Sequence, residues 1–407
     1  MRESTKIHVH DLRLGMYVTK LDRDWLDTPF IMQGFLIEEP EDIDIVAEYC
    51  EYVWVDAEVY KRKGDSHSSD VGTASQGRSQ PYQYQSDLQE EHKKAYKTFR
   101  HARTITFDLL NDIRLGGSIN TELAKDTVND VVQSIIRHPD AMLWLSKIRE
   151  ESTYTSDHCL NVCVLAVAFG RQLGLDEQEL EKVGLCGLLH DVGKMRVPEE
   201  ILNKPTSLTH KEMALMKAHT VHGRNLLLAA KNVYTGSIDV AYSHHERMDG
   251  TGYPRKLKGA GIARFARIIS IVDAYDAMTA KRCYSPAMTS TDALKEIYAG
   301  RGSQFDADLA LEFIKTIGLY PPGSLVELYT GEIGFVFEAN PDRRHLPKVL
   351  LLLDQNRRER DRQKVLDLAF IESGELSRQN LIKQVWPDGS FGLFIKDFQD
   401  KGLSLKY

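Results

Sequence analysis

The chain is poor in the features that would place it outside a reducing, aqueous compartment. Of its 407 residues only five are cysteines, Cys50, Cys159, Cys163, Cys186 and Cys283, and no two form a CxxC pair. That usage excludes a dense disulfide framework and points to buried free thiols in a cytoplasmic protein. No run of eighteen apolar residues occurs, so no membrane-spanning helix and no direct membrane insertion is expected. The polar opening MRESTKIHVHDLRLGM gives no secretory signal. Positive charge is not in excess either: 52 Lys and Arg face 59 Asp and Glu, a net charge of -7. A binder of nucleic-acid polymers is therefore excluded as the default. An anionic small ligand would need a local cation cluster or a metal. No internal repeat is present.

The chain does carry enough apolar residues, 42%, for a globular core. Length alone suggests two or three domains. Residues 1–62 read as a small α/β regulatory domain. Its strand candidates are Lys6–Val9, Met16–Leu21, Phe35–Ile37 and Tyr52–Asp56, with a helix over Glu39–Tyr49 and with Trp25 and Phe30 in the core. Residues 63–88, rich in Gly, Ser, Asp and Gln, read as a flexible linker. A helical connector over 89–150 follows. Residues 151–320 read as a helical catalytic domain, with helices over 156–174, Glu177–Met195, Thr209–Ala230, Ile238–Glu246 and Ala263–Ala280. Thr209 and Glu212 form a capping-box pattern. After Pro321-Pro322-Gly323, residues 321–407 read as a β-rich extension with strands at Ser324–Leu328, Glu332–Phe337 and Lys348–Leu353. The fold class is mainly α, a helical bundle flanked by these two smaller parts.

Chemistry gathers on a few of these helices. His244-His245-Glu246-Arg247-Met248-Asp249-Gly250-Thr251-Gly252-Tyr253-Pro254 sets adjacent imidazoles against a rigid turn. His158, His190-Asp191, His219 and Asp273 are further candidates, each on a separate helix. Inward-facing His and Asp from several helices are how a bundle builds a metal site. Imidazole nitrogen and carboxylate oxygen suit divalent iron, manganese or zinc. Asp191 can bridge two ions, and two ions a few ångströms apart can activate water for in-line phosphoryl displacement. Lys194, three residues after Asp191, can hold a phosphate oxygen or protonate a leaving group. Asp239 and Asp276 rival Asp273 on chemistry alone. A lone helical histidine is usually structural, so the reading rests on the whole set. His222 is expected to pack against neighbours. His8, His10, His92, His101, His138, His210 and His345 have no visible partners and are expected at the surface.

These residues resemble a known family. His190-Asp191-Val192-Gly193-Lys194, with Val197-Pro198, Ile201-Leu202 and Lys204-Pro205, is similar to the core of the HD-domain phosphohydrolases. His244-His245-Glu246-Arg247 through Gly252-Tyr253-Pro254 is similar to the signature of the HD-GYP subclass. Ile271–Thr279 and Arg282-Cys283-Tyr284 continue the match over about 150–315. Leu14-Gly15-Met16 and Tyr52–Asp56 resemble an uncharacterised domain that often precedes this module. The resemblance implies a bacterial cyclic di-GMP phosphodiesterase that opens the cyclic dinucleotide to pGpG and on to GMP through a hydroxide bridging two metals, iron first, manganese or another transition metal next. It implies His158, His190, Asp191, His219, His244, His245 and Asp273 as ligands, which selects Asp273 over its rivals. It gives catalytic roles to Asp191 and Lys194, and substrate contacts to Lys194, Arg282, Asp276 and the Gly252-Tyr253-Pro254 loop, which is also a plausible contact for signalling partners.

Two positions depart from the pattern. Trinuclear members carry a glutamate where this chain has Tyr154, a poor ligand with a phenol pKa of about 10, so two metals are expected and not three. Ser285 replaces a basic residue, removing one phosphate contact. An oligomer is compatible with all of this. A non-catalytic cyclic di-GMP sensor or adaptor is the alternative, and an HD phosphohydrolase for other nucleotides or a related cyclic dinucleotide is a further rival.

Overall fold

The computed structural model describes residues 4–23, 35–37, 40–56, 82–148, 154–280, 287–341 and 343–400. The chain divides into two compact units, Met1–Arg78 and Ser79–Tyr407. The first contains β1 (Ser4–His8), β2 (Tyr17–Leu21), β3 (Phe35–Leu36), α1 (Pro40–Tyr49) and β4 (Tyr52–Asp56). The strands form one antiparallel sheet in the order β1-β4-β2-β3. Alternation along β4 turns Val53 and Val55 into a core shared with Val18, Leu21, Ile37 and Val46, while Lys6 and Lys20 lie over the rings of Tyr52 and Trp54 at 4.1 and 4.8 Å. This is the small α/β unit expected. Trp25 and Phe30 lie outside the described residues.

The second unit is mainly helical. In chain order it has α2 (Leu88–Arg114), α3 (Thr121–Arg137), α4 (Pro139–Leu145), α5 (Tyr154–Gln172), α6 (Glu177–Leu189), a 3-10 turn (Val192–Arg196), α7 (Glu199–Leu202), α8 (His210–Lys217), α9 (His219–Ala229), α10 (Thr235–Ser243), α11 (Arg264–Thr279), α12 (Ser290–Ala299) and α13 (Ala307–Ile317). Side-chain caps fix several starts. Asp87 accepts from the Gln89 amide ahead of α2, and capping boxes pair Asp176 with Glu179 and Thr209 with Glu212, each satisfying amides that a helix start leaves open. α5 is buried on nearly every face, with Cys159 and Cys163 inside it. Cys50 and Cys186 are likewise buried free thiols, and Cys283 lies outside the described residues.

Three expected helix bounds need correction. The helix over Thr209–Ala230 breaks at Ala218, so His219 opens α9 and is not mid-helix. The helix over Glu177–Met195 stops at Leu189, leaving His190 and Asp191 at a sharp exit. Likewise α10 stops at Ser243, and His244 and His245 follow its end. The end of the composition-based linker is packed: the Tyr82 hydroxyl donates to the Leu175 carbonyl at 2.9 Å, the Tyr84 ring lies 4.4 Å from that of His138, and Leu88 is buried. His138, expected at the surface, is buried in that contact.

Glu91 of α2 is fully buried, and its carboxylate accepts from Ser134 and, twice, from Arg137 of α3. A buried charge so surrounded is satisfied, and breaking its pair would be costly. Asp140 is less well served. It is buried in the first turn of α4 and accepts one amide bond, from Ala339 at 2.7 Å. Burial pushes its carboxyl up to about 6. A raised carboxyl pKa favours the folded state below about pH 4, and that contribution is lost as pH rises through about 6. Asp140→Asn keeps an acceptor without the charge. It should therefore stabilise the protein at pH 8 by up to about 3 kcal/mol and be neutral at pH 4, read as thermal midpoints of both proteins at both pH values. Equal midpoints at pH 8 would contradict the assignment.

The last part is one antiparallel sheet of β5 (Leu325–Leu328), β6 (Ile333–Glu338), β7 (Lys348–Leu353), β8 (Glu359–Asp367) and β9 (Ile382–Trp386), in the order β8-β7-β6-β5-β9. Two of these strands go beyond the expected three. Both are edge strands, and the charged run of β8 hides the apolar alternation that marks a strand. Among the described residues no helix is long and apolar enough to cross a membrane.

Candidate metal centre

Three helix ends and two helix interiors converge on one buried spot. α5 contributes His158, the end of α6 His190 and Asp191, the start of α9 His219, the end of α10 His244 and His245, and α11 Asp273. Their donor atoms form two groups, Asp191 with His219, His244 and His245, and His158 with His190 and Asp273. Asp191 stands between them. Its Oδ1 lies 3.3 and 3.7 Å from Nε2 of His219 and His244, and its Oδ2 lies 3.4 and 3.3 Å from Nε2 of His158 and His190. Asp273 Oδ1 is 3.1 Å from His158 Nε2.

The imidazoles are aimed from behind. Nδ1 of His190, His219 and His244 donates to the carbonyl oxygens of Gly187, Met216 and Val240 at 2.7, 2.7 and 3.0 Å. Nδ1 of His158 donates to Asp276 at 2.8 Å. Each such bond fixes the tautomer and turns the Nε2 lone pair inward, as metal-ligating histidines require. His245 differs, with its Nδ1 3.9 Å from Asp273.

Electrostatics agree with this geometry. Burial alone would push the Asp191 carboxyl up, but Lys194 and the imidazoles outweigh it and hold the group well below the usual carboxylate range. Asp273 is lowered in the same way, its bond with His158 outweighing burial. Burial pushes His244 well down and His245 to about 3, so both stay neutral. Burial also opposes charge on His158, but Asp191, Asp273 and Asp276 around it raise its pKa. Two glycines make the approach possible. A Cβ on Gly193 would collide with the His219 carbonyl oxygen and the Gly223 amide, so only glycine lets the turn after Asp191 lie against α9. At Gly252 a Cβ would stand 2.6 Å from the His245 carbonyl oxygen.

The residues fit divalent cations. Ionised carboxylates and neutral imidazoles are the donors such ions take. Among the described residues, His190 Nε2 and Asp191 Oδ1 are buried without a hydrogen-bond partner, and such orphans call for an explanation that a bound ion supplies.

Above the centre lies a cavity of about 760 Å³ whose lining includes Lys194, Gly252 and Tyr253. Lys194 pairs with Asp191. The Tyr253 ring stacks on His245 with centroids 4.8 Å apart, and Lys217 Nζ lies 4.8 Å from its centroid. This ring therefore faces the cavity. Pro254 follows it at the partly buried exit of the loop. Glu246 is buried and accepts the amides of Arg255 and Leu257 at 2.6 and 2.9 Å, shaping that loop, while Arg247 pairs with Asp249 at 3.3 Å. Asp276 does not line the cavity: it is buried behind His158 and orients that ring, where a substrate contact was expected. Asp239 pairs with Arg255 at 2.7 Å, away from the donor groups. Arg282, Ser285 and the side chain of Tyr154 lie outside the described residues. Sequence reasoning missed Phe107 and Asn111 of α2, together with Gln304, which also line the cavity. The one available signal was an aromatic off the buried stripe of α2.

A helical unit that gathers His and Asp ligands around a His-Asp pair defines a metal-dependent phosphohydrolase of the HD type. The HD domain model matches residues 128–309, and a model for a domain of unknown function matches residues 4–124. A cyclic di-GMP phosphodiesterase of Pseudomonas aeruginosa is 35% identical over 371 residues, 89% of this chain and 88% of its own length. A cyclic di-GMP phosphodiesterase response regulator of Xanthomonas campestris is 42% identical over 33% of this chain and 36% of its own length. A 3'3'-cGAMP-specific phosphodiesterase of Vibrio cholerae is 36% identical over 40% of this chain and 38% of its own length. The chain belongs to the HD-GYP family of metal-dependent cyclic dinucleotide phosphodiesterases.

Proposed function

We propose that this protein hydrolyses cyclic di-GMP to linear pGpG and then to GMP in the cytoplasm, using two divalent ions, iron in preference to manganese. The observation that carries the reading is the division of Asp191, with one oxygen facing His219 and His244 and the other facing His158 and His190. One donor set would be Asp191, His219, His244 and His245, and the other His158, His190 and Asp273 with the second Asp191 oxygen. Two ions there supply Lewis-acid charge and a nucleophilic water near neutral pH. The chain does the rest. Lys194 keeps Asp191 ionised and presents positive charge at the cavity floor, where phosphate charge develops. Tyr253 covers the His245 side of the site, and Lys217 adds a second cation there. Arg282 is assigned a further phosphate contact.

Cyclic di-GMP is preferred over cyclic GMP-AMP because similarity to a cyclic di-GMP enzyme runs along 89% of the chain, against 40% for the cyclic GMP-AMP enzyme. The complete ligand set favours an enzyme over a non-catalytic sensor. The test is product analysis by chromatography with iron(II)- or manganese(II)-loaded full-length protein, given cyclic di-GMP and 3'3'-cGAMP in parallel. Appearance of pGpG followed by GMP is expected. Binding of cyclic di-GMP without any linear product would overturn the reading.

A further inference from the structure

We propose that Phe107 of α2 is a base-stacking residue of the substrate cavity, against which one purine of the cyclic dinucleotide lies. The inference rests on the cyclic dinucleotide reading above and names a contact that the HD motifs do not contain.

Phe107 is not a core residue. Along α2 the buried stripe runs through Ala95, Phe99, Ala102, Thr106, Leu109, Leu110 and Ile113. Phe107 stands beside that stripe and is 44% exposed. It nevertheless opens onto the same cavity as His158, His219, His244, His245 and Asp273. An aromatic ring left exposed beside a metal centre is suited to a flat ligand, since every nucleobase offers a π-face.

The surrounding wall is of the same kind. Leu202, Leu208, Met213 and Met216 line the cavity with Phe107, and Met213 is itself 41% exposed. The lining also carries cationic and polar side chains, among them Lys194, Lys217, Arg247 and Gln304. A cyclic dinucleotide has the matching division: an anionic sugar-phosphate ring at its centre and flat purines at its ends. With a phosphate over the metal-ligating residues, a base must go to one side, and the apolar wall is where its face costs least to desolvate.

The ring is also held in place. Four residues before it, Arg103 makes two bonds of 2.7 Å to the buried Asp157, the neighbour of His158. Seven residues after it, Arg114 pairs with Glu199 of α7 and lies 3.7 Å from the Met195 sulfur. α2 is thus clamped on both sides of Phe107, once to the helix of a metal ligand and once to the segment after the His-Asp pair. A preformed platform avoids the cost of ordering a loose side chain on binding. α2 falls within the match to the domain of unknown function and outside the HD model, so the contact is absent from a bare HD domain.

The test compares the full-length, manganese-loaded parent with Phe107→Ala and Phe107→Trp. Truncation of a residue this exposed should leave the thermal midpoint unchanged. Phe107→Ala should raise KM for cyclic di-GMP roughly tenfold with kcat within about twofold, and Phe107→Trp should restore KM. Metal content per chain should stay that of the parent in both variants. An unchanged KM in Phe107→Ala overturns the assignment. So does a loss carried by kcat together with a lowered midpoint, which marks a structural role. A parent inactive on every cyclic dinucleotide is a different failure: it removes the functional reading, and the stacking assignment with it, before any variant is made.

Discussion

Asp191→Ala should abolish turnover, a loss of roughly a thousandfold or more, while the far-ultraviolet circular dichroism spectrum stays that of the parent. The size of the effect follows from position. Asp191 is 1% exposed, and four imidazole Nε2 atoms lie within 3.7 Å of its two oxygens. Asp273 also spans the two groups, but it meets the first only at His245, 3.9 Å away. Removal of Asp191 separates the groups and deletes the Lys194–Asp191 pair. Survival of the fold follows from the charges left behind. His219, His244 and His245 are pushed toward the neutral form by burial, so they need no counter-ion. His158 keeps Asp273 and Asp276. Lys194 is part-exposed at the cavity and can reach water. Metal content per chain should fall with activity. Full activity in metal-loaded Asp191→Ala protein would sink the role given to Asp191.

Residue chemistry made much of this centre legible in the sequence, because few helical cores ask for so many histidines at helix ends. What it left open was rotation. Asp273 and Asp276 are one turn apart on α11 and share a face. Which of them meets the donor groups and which backs a histidine depends on how α11 packs against α5, a tertiary property. The resemblance to a family selected Asp273, and the structure gives the reason: Asp273 meets His158 at Nε2, on the inner side, and Asp276 at Nδ1, on the outer. Helix ends were less legible. The break at Ala218 carries no proline or glycine, and it comes from the packing that brings His219 to Asp191. The same limit hid α2. Its apolar spacing marks a helix, but nothing local says that a helix some fifty residues before His158 walls the same cavity. The charged strand β8 was hidden for the opposite reason: its pairing with β7, not its own pattern, makes it a strand.

Elemental analysis of protein purified without chelators should approach two metals per chain. The seven candidate donor residues divide into two groups, and Asp191 offers a different oxygen to each. Each ion would then have four protein donors with room for water, as an open hydrolytic site needs. A third ion would require donors beyond these. At the position where trinuclear relatives are expected to carry glutamate, the chain has Tyr154, whose phenol would have to ionise from a pKa of about 10. Removal of the ions should abolish turnover and also lower the thermal midpoint, because a ligand bound only by the folded state stabilises it by about 4 kcal/mol at a thousandfold excess over Kd. His244 and His245, held neutral by burial, need not release protons before they bind, whereas His158 must. Chelation followed by addition of manganese should therefore restore midpoint and turnover together. A reproducible value near three metals per chain would refute the Tyr154 argument, and a midpoint indifferent to chelation would refute the claim that these residues hold metal at all.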